Sequence, residues 1–300
     1  MKLTIVLRTE KKSTHFPLTV DLAEDATVND LKKAIHKQIK KFYPDRQRLT
    51  YTDKVLDDGK KQLSDYGIKN EEKILFKDLG PQVAWRTVFI FEYLGPLVIH
   101  PICYYGSRWI YGEEIEHSKM QTVTYYLVIL HFLKRELETV FVHRFSNGTM
   151  PFRNIIKNSV HYHFLSGVLL AYAVYGPWNA AGTGGERDDW YINACVGVWI
   201  WAELSNLITH INLRNLRPSG TRVRKIPHGY GFNLISCPNY FFEIVAWTAV
   251  AALTQSIAAI IFLVFAIGQM YIWAVKKHKR YRSEFKDYPK NRKAMIPFVV

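Results

Sequence analysis

The stretch FFEIVAWTAVAALTQSIAAIIFLVFAIGQMYIWAV, residues 241–275, decides the class of fold. It runs for 35 residues with Glu243 as its only acidic or basic side chain. A helix that crosses a lipid bilayer needs about 20 mainly apolar residues. The stretch is too long for one such helix, so it predicts a tightly connected pair of membrane helices.

Four more apolar stretches of membrane-spanning length precede this pair. They are Val83–Tyr105, Gln121–Val142, Ser159–Trp178 and Trp190–Ile211. We therefore predict an α-helical multi-span membrane domain over residues 81–300. The expected number of transmembrane helices is six, with five and seven as the alternatives.

Residues 1–80 read as a small soluble domain, because charged and apolar residues alternate at short intervals. The runs LTIVL and FPLTV predict a β-hairpin. A helix follows, in which apolar residues recur at spacings of three and four over 28–39. Further strands are expected at Arg48–Thr52 and Lys73–Lys77. This order of elements resembles the α+β ubiquitin-like (β-grasp) fold.

The first domain ends in Leu79-Gly80-Pro81 and lacks a terminal Gly-Gly pair. It therefore does not look like a modifier that is conjugated to other proteins. A tethered recognition module and a fold that steadies the membrane domain are the two interpretations that remain open.

Positive charge is concentrated after the last apolar stretch. The chain carries a formal net charge of +14, and the segment 276–293 holds nine Lys or Arg residues against Glu284 and Asp287. By the positive-inside rule, this tail is predicted to be cytoplasmic. Cys103, Cys195 and Cys237 are odd in number and far apart, so they are expected to be free thiols.

A second cationic segment lies between the fourth apolar stretch and residue 241. It contains Arg214, Arg217, Arg222, Arg224 and Lys225, with no acidic residue among them. Together with the tail it offers two basic patches suited to a ligand with several phosphates, such as NADPH or a coenzyme A thioester. We predict no nucleic-acid partner.

Several familiar motifs are excluded by their context. The run Gly182-Thr183-Gly184-Gly185 follows no parallel strand, so it is not a dinucleotide fingerprint. Of the 11 histidines, only His161 and His163 lie within four residues of each other, and no HExxH motif occurs. These spacings do not fit a di-iron or zinc enzyme, and we predict no metal centre.

Three ordered motifs carry a resemblance to a known family. They are SNLITHINLRNLRPSG (205–220), RKIPHGYGFNLISCPNYFFEIVAW (224–247) and KHKRYRSEFKDYPKNRKAMIPFVV (277–300). The region 141–300 resembles the C-terminal domain of the steroid 5α-reductase family. The segment KRELETVFVHRFSNGTMP (134–151) and the ubiquitin-like domain resemble the enoyl-CoA reductase branch of that family.

The resemblance implies a set of site residues. Those matching the cofactor side, which would contact NADPH, are Asn206, Arg214, Arg217, Lys225, Asn239, Glu243, His278, Tyr281 and Arg292. Glu92 matches a glutamate that faces the substrate. Where the family often has Ser-Asp, this chain has Thr209-His210, so a ribose or phosphate contact is expected to differ there.

Tyr240 stands where the enoyl reductases have their proposed proton donor. Hydride addition to a thioester-conjugated double bond produces an enolate, which needs a nearby donor or cation and a positioned acid. We expect Tyr240 to be the acid, with Lys134 and Arg135 as candidates for stabilising the enolate. Other ionisable residues within the apolar stretches, such as Glu203, are either functional or paired with each other across helices.

The implied activity is NADPH-dependent reduction of a very-long-chain trans-2-enoyl-CoA, the last step of fatty-acid elongation, which also feeds sphingolipid synthesis. The implied location is the endoplasmic reticulum membrane, with the other elongation enzymes as candidate partners. Two alternatives remain open. One is a sterol or polyprenol double-bond reductase of the same fold, and the other is a non-enzymatic ubiquitin-like membrane adaptor.

Overall fold

The computed structural model describes residues 1–9, 14–145, 148–218 and 224–299. It divides into two compact units. The first contains residues 1–85 and a later segment that ends at Asn154, and the second contains the remaining helices.

The first unit is built on a five-stranded sheet with one helix. The strands are β1 (Lys2–Leu7), β2 (Leu18–Asp21), β3 (Gln47–Tyr51), β4 (Lys54–Val55) and β5 (Lys73–Asp78), in the order β2-β1-β5-β3-β4. Strands β1 and β5 are parallel, and the other neighbours are antiparallel. Helix α1 (Val28–Gln38) begins at a capping box formed by Thr27 and Asp30. The ubiquitin-like β-grasp prediction is confirmed.

The apolar face of α1 explains why the helix packs on this sheet. Val28, Leu31 and Ile35 are fully buried, and they contact Leu3 and Ile5 from β1 in one core. These spacings of three and four place the helix residues on one stripe, while alternate residues of β1 point to the same side of the sheet. Two short strands, β6 (Gln82–Ala84) and β7 (Thr149–Pro151), form a separate antiparallel pair.

The second unit is a bundle of helices. Its α-helices are α2 (Trp85–Tyr105), α3 (Ser107–Tyr111), α4 (Lys119–Leu137), α5 (Asn154–Ser159), α6 (Leu170–Tyr175), α7 (Asp189–Asn215), α8 (Pro238–Thr254) and α9 (Ile257–Glu284). Wider π-helical turns continue α4 over Glu138–Val142 and join α5 to α6 over Val160–Leu169. A short 3₁₀ turn occurs in this unit at Pro177–Asn179, and two more occur in the first unit at Pro44–Arg46 and Ser64–Tyr66.

Among the described residues, three helices are long and apolar enough to cross a membrane: α2, α7 and α9. The stretch 241–275 forms two helices as predicted, α8 and α9, which are separated by Gln255 in the left-handed conformation and Ser256, and of the two only α9 is among these three candidate membrane helices. Helix α8 has 17 residues, and α4 carries charged side chains near its end. The number six for the membrane spans therefore stays a prediction.

Contacts along the helices give their directions. At one end of the bundle Tyr104 of α2 bonds to Thr122 of α4 at 2.9 Å, and at the other Arg135 of α4 donates to Tyr93 of α2 at 2.7 Å. These two helices are therefore antiparallel. We call the end that contains Tyr93 and Arg135 the site end.

Helices α7 and α8 complete the site end. Helix α7 runs parallel to α4, because contacts follow the same order along both helices. Lys119 contacts Asp189 where both helices begin, and His131 contacts Glu203 further along both, each at 2.6 Å. Asn206 contacts the beginning of α8, so α8 starts where α4 and α7 finish. Polar side chains from three helices can consequently meet at one level of an otherwise apolar bundle.

Candidate active site

Ionisable side chains from α4, α7 and α8 form one buried cluster at the site end, which we call the ion network. On α4 and its π-helical continuation the spacings are three and four residues, which place side chains on one face. The same spacing recurs on α7, and α8 contributes Glu243 alone. The members are His131, Lys134, Arg135, Glu138, Glu203, Asn206, His210 and Glu243.

His131 lies between two carboxylates. Its Nδ1 is 2.6 Å from Oε1 of Glu203, and its Nε2 is 3.3 Å from Oε1 of Glu243. The side chain is only 3% exposed. Nδ1 is hydrogen-bonded to Glu203 and Nε2 lies within ion-pair distance of Glu243, so an imidazolium with protons on both nitrogens would interact favourably with both carboxylates.

Lys134 and Asn206 connect the three helices. The Lys134 ammonium donates to Oε2 of Glu203 at 2.6 Å and to Oδ1 of Asn206 at 2.7 Å. Through its amide nitrogen, Asn206 donates to the Asn239 carbonyl at 2.9 Å and to Oε2 of Glu243 at 3.1 Å. Asn206, Asn239 and Glu243, three of the residues predicted from the resemblance, are thus brought into direct contact, with Lys134 beside them.

Arg135 closes the network toward α2. It donates to Oε2 of Glu138 at 2.9 Å and to the Tyr93 hydroxyl at 2.7 Å. His210 lies 3.0 Å from Glu138 through Nδ1. The ligand atoms of Glu138, His143 and His210 lie within 4.8 Å of one another, a spacing that could hold a metal ion. In this structure Glu138 is paired with Arg135 at 2.9 Å and with Lys134 at 3.7 Å.

A cavity of about 720 Å³ lies beside the beginning of α8 and the end of α9. It is lined by Leu213, Leu216, Arg217, Arg224, Lys225, Tyr240, Trp273, Lys276, Lys277, Lys279, Arg280 and Tyr281. Seven of these twelve residues are cationic, and none is acidic. We call this space the cationic cavity.

Crowding of like charge is visible at Arg217. Burial, together with the neighbouring Arg224 guanidinium, lowers the pKa of the Arg217 side chain. Glu284 neutralises part of the charge, because it accepts from Arg224 at 2.5 Å. An anionic ligand with several phosphates would relieve the remaining repulsion.

Tyr240 lines the cationic cavity from the first turn of α8. Lys277 of α9 lies close enough for its ammonium to interact electrostatically with the Tyr240 hydroxyl. The loop before α8 approaches closely at Gly231, which has a φ of 73°. A Cβ there would lie 2.6 Å from Cβ of Pro238, so glycine is required for α8 to begin where it does.

His278 and Arg292 hold the loop that precedes α8. His278 bonds to Ser236 at 2.7 Å, and Arg292, which is buried, donates to the Pro227 carbonyl at 2.8 Å. Nδ1 of His228 lies 3.2 Å from the same guanidinium. The contacts that the structure gives these two residues are with the protein, and a contact with a cofactor stays a prediction.

The remaining predicted residues lie elsewhere. Glu92 of α2 is 1% exposed, and neither carboxylate oxygen has a well-formed hydrogen bond to a described residue, although Asn158 is its polar neighbour. The Arg214 side chain is exposed and does not line the cationic cavity. Arg222 lies outside the described residues.

The cations of α9 were predicted collectively, as a basic tail suited to phosphates, and not as individual site residues. Helix α9 continues to Glu284, so the tail is helical over its first half. Trp273, Lys277, Arg280 and Tyr281 then fall at spacings of three and four and line the same cavity. Tyr281 was predicted from the resemblance, and helical periodicity carried past 275 is the signal that would have found the other three.

Comparisons with known proteins show which family the chain resembles. The family described as 3-oxo-5-alpha-steroid 4-dehydrogenase matches residues 148–300, and the ubiquitin family matches residues 5–76. The very-long-chain enoyl-CoA reductase of Dictyostelium discoideum is 46% identical over 231 residues, which cover 77% of this chain and 75% of that protein.

Two further relatives match over nearly the full length. A Schizosaccharomyces pombe protein whose name includes enoyl reductase is 46% identical over 294 residues, covering 98% of this chain and 96% of its own. The Caenorhabditis elegans protein named probable very-long-chain enoyl-CoA reductase art-1 is 38% identical and covers 97% of each chain.

Proposed function

Because the chain belongs to the 3-oxo-5-alpha-steroid 4-dehydrogenase family, we propose that it reduces the C2=C3 bond of a very-long-chain trans-2-enoyl-CoA, with NADPH as reductant. The names of the relatives support reduction of an enoyl-CoA. The observation that carries the proposal is the position of Tyr240, a hydroxyl donor, in a cavity lined by seven cations.

The residues present fit NADPH. The cationic cavity offers several charges for phosphates, and the aromatic rings of Trp273 and Tyr281 lie in the same wall. Oδ1 of Asn239 is buried without a hydrogen-bond partner among the described residues, so it is free to accept from a bound carboxamide. Residues expected to hold the cofactor are Arg217, Lys225, Tyr281, Asn206, Asn239 and Glu243. When bound, NADPH supplies the hydride that C3 receives.

The proton for C2 would come from Tyr240. Its hydroxyl gives up one proton as the enolate collapses, and the nearby Lys277 ammonium stabilises the phenolate that remains until solvent reprotonates it. One hydride and one proton convert the enoyl thioester into the saturated acyl thioester.

Of the two candidates for stabilising the enolate, Arg135 is favoured by its contacts. Lys134 uses its donors on Glu203 and Asn206. Arg135 retains Nε without a hydrogen-bond partner among the described residues. A developing negative charge on the thioester oxygen could therefore reach Arg135 without breaking an ion pair of the network.

We place this activity in the endoplasmic reticulum membrane, as the last step of fatty-acid elongation and as a supplier of sphingolipid synthesis. Six transmembrane helices with a cytoplasmic C-terminus would put the cationic cavity on the cytoplasmic side, where NADPH and the phosphates of coenzyme A are found. The acyl chain would lie among the apolar helices. The other elongation enzymes are the proposed partners.

The test is an anaerobic assay with the purified full chain in detergent. NADPH oxidation is followed with a long-chain trans-2-enoyl-CoA, and the saturated acyl-CoA is identified by mass spectrometry. The proposal expects one NADPH consumed for each product molecule formed. A 4-ene-3-ketosteroid serves as the comparison substrate. Reduction of the steroid with no turnover of the enoyl-CoA would overturn the proposed substrate class, and no NADPH binding would overturn the proposed chemistry.

A further inference from the structure

His131 has contacts that the proposed reaction does not use. We propose that His131 is a positioning residue that fixes the orientation of Glu243 on the cofactor side of the site. This inference rests on the proposed function, because it requires Glu243 to contact the bound cofactor. The protonated ring of His131, which lies between the carboxylates of Glu203 and Glu243, would hold Glu243 in place.

The ring of His131 has no freedom to turn. Its side chain is 3% exposed, and its plane meets the rings of Trp247 and Phe132 edge-on at centroid distances of 4.9 and 5.0 Å. The 3% exposure leaves the ring almost inaccessible to water. Both polar edges are therefore directed along fixed lines, one toward each carboxylate.

Charge balance supports a protonated His131. Glu138, Glu203 and Glu243 contribute three negative charges to the network, whereas Lys134 and Arg135 contribute two positive charges. An imidazolium at His131 makes the sum zero, because His210, the other histidine of the network, contacts one carboxylate through one ring nitrogen, which a neutral imidazole can also do. A buried charge without a partner is strongly destabilising, so a network whose charges sum to zero is favoured over one with a net charge.

Glu243 is held at both oxygens as a result. Oε1 lies against His131 at 3.3 Å, and Oε2 accepts from Asn206 at 3.1 Å. Asn206 is in turn fixed by Lys134. Removing His131 frees Oε1 and leaves Glu203 and Glu243 facing each other without the cation between them, which would rotate the Glu243 carboxylate away from its present position.

A double-mutant cycle tests whether His131 acts through Glu243. The dissociation constant of NADPH and kcat are measured for the full chain with His131→Gln, Glu243→Gln and both changes together. His131→Gln alone should weaken NADPH binding by about tenfold or more, the range for a lost charged hydrogen bond. In the Glu243→Gln background the same change should add less than about twofold, because nothing remains to be positioned.

His100→Gln is the matched control. His100 is also a fully buried histidine, but it bonds to Tyr175 at 2.7 Å and to the Ser166 carbonyl at 2.8 Å, outside the ion network. Its effect on NADPH binding should be the same in both backgrounds. Equal effects of His131→Gln in the two backgrounds would overturn the inference, as would the same non-additivity for His100→Gln.

Glu243→Gln alone provides a second measurement if His131→Gln does not fold. Binding of NADPH within about twofold of the original chain would show that Glu243 needs no positioning, and the inference would be overturned. Failure of the inference is separate from failure of the proposed function. In the first case the original chain still consumes NADPH with the enoyl-CoA, and in the second it does not.

Discussion

Arg217 and Arg214 allow the cofactor site to be tested by a matched pair of changes. The resemblance predicts that both contact the cofactor, and they lie three residues apart, with Arg214 in the last turn of α7 and Arg217 just beyond its end. In the structure, Arg217 lines the cationic cavity, whereas the Arg214 side chain is exposed and lies outside that lining. We predict that Arg217→Ala raises the KM for NADPH much more than Arg214→Ala does.

The contacts of Arg217 set the expected magnitude. A hydrogen bond to a charged group contributes about 1.5–3 kcal/mol, and each 1.4 kcal/mol is about a tenfold change in affinity. One guanidinium nitrogen of Arg217 already donates to the Arg144 carbonyl at 2.8 Å, and six further cations line the cavity. The lower end of the range therefore applies, a rise in KM of about tenfold, with kcat changed less than about threefold.

The assay is steady-state oxidation of NADPH and NADH with a saturating long-chain enoyl-CoA. Arg214→Ala should change the KM for NADPH by less than about twofold, the size expected of an exposed charge outside the cavity. The original chain should prefer NADPH over NADH. Equal effects of the two alanine changes, or a fall in kcat with no change in KM for Arg217→Ala, would refute the assignment of the cationic cavity to the cofactor.

Three further outcomes are expected. The Arg46 guanidinium, hydrogen-bonded to Asp78, holds the pKa of that carboxyl below its usual value. The stability that this ion pair gives the folded domain is present above the ordinary aspartate pKa of about 4 and is lost as pH falls through the lowered pKa. After Asp78→Asn, the free energy of unfolding of residues 1–80, measured by hydrogen exchange, should therefore fall less on acidification than in the original chain. Deleting residues 1–80 should leave a folded reductase, and loss of NADPH binding by the truncated chain would contradict this. Gly231→Ala should lower the thermal unfolding temperature, because a positive φ costs about 1–3 kcal/mol and the new methyl group would meet Pro238; an unchanged temperature would show that the loop adapts.

Much of the fold follows from local patterns in the sequence. The stretch 241–275, whose only acidic or basic side chain is that of Glu243, is too long for one membrane helix and so predicts two helices. The structure places their junction at Gln255 and Ser256. In residues 1–80 the alternation of β1 and the stripe of α1 indicate one shared core. These features depend on periodicity within a segment, so a single sequence contains them.

The partners in the ion network could not be predicted in the same way. Spacing places His131, Lys134 and Arg135 near one face of α4, but it does not say which carboxylate each will meet. That depends on how α4, α7 and α8 pack, which brings Glu203 and Glu243 to the same imidazole ring. The family resemblance grouped Arg214 with Arg217, although α7 ends between them at Asn215, and only the Arg217 side chain lines the cavity.

The most direct test of the account is Tyr240→Phe, since the change removes one hydroxyl and leaves the ring. General acid catalysis contributes typically about 10²–10⁴ in rate. We predict that kcat for the enoyl-CoA falls by that amount in Tyr240→Phe while NADPH still binds. Tyr281→Phe removes a hydroxyl from the same cavity and should alter the KM for NADPH more than kcat. Retention of more than about a third of the original kcat by Tyr240→Phe, far short of the range for a lost general acid, would contradict the account and make Tyr240 a packing residue.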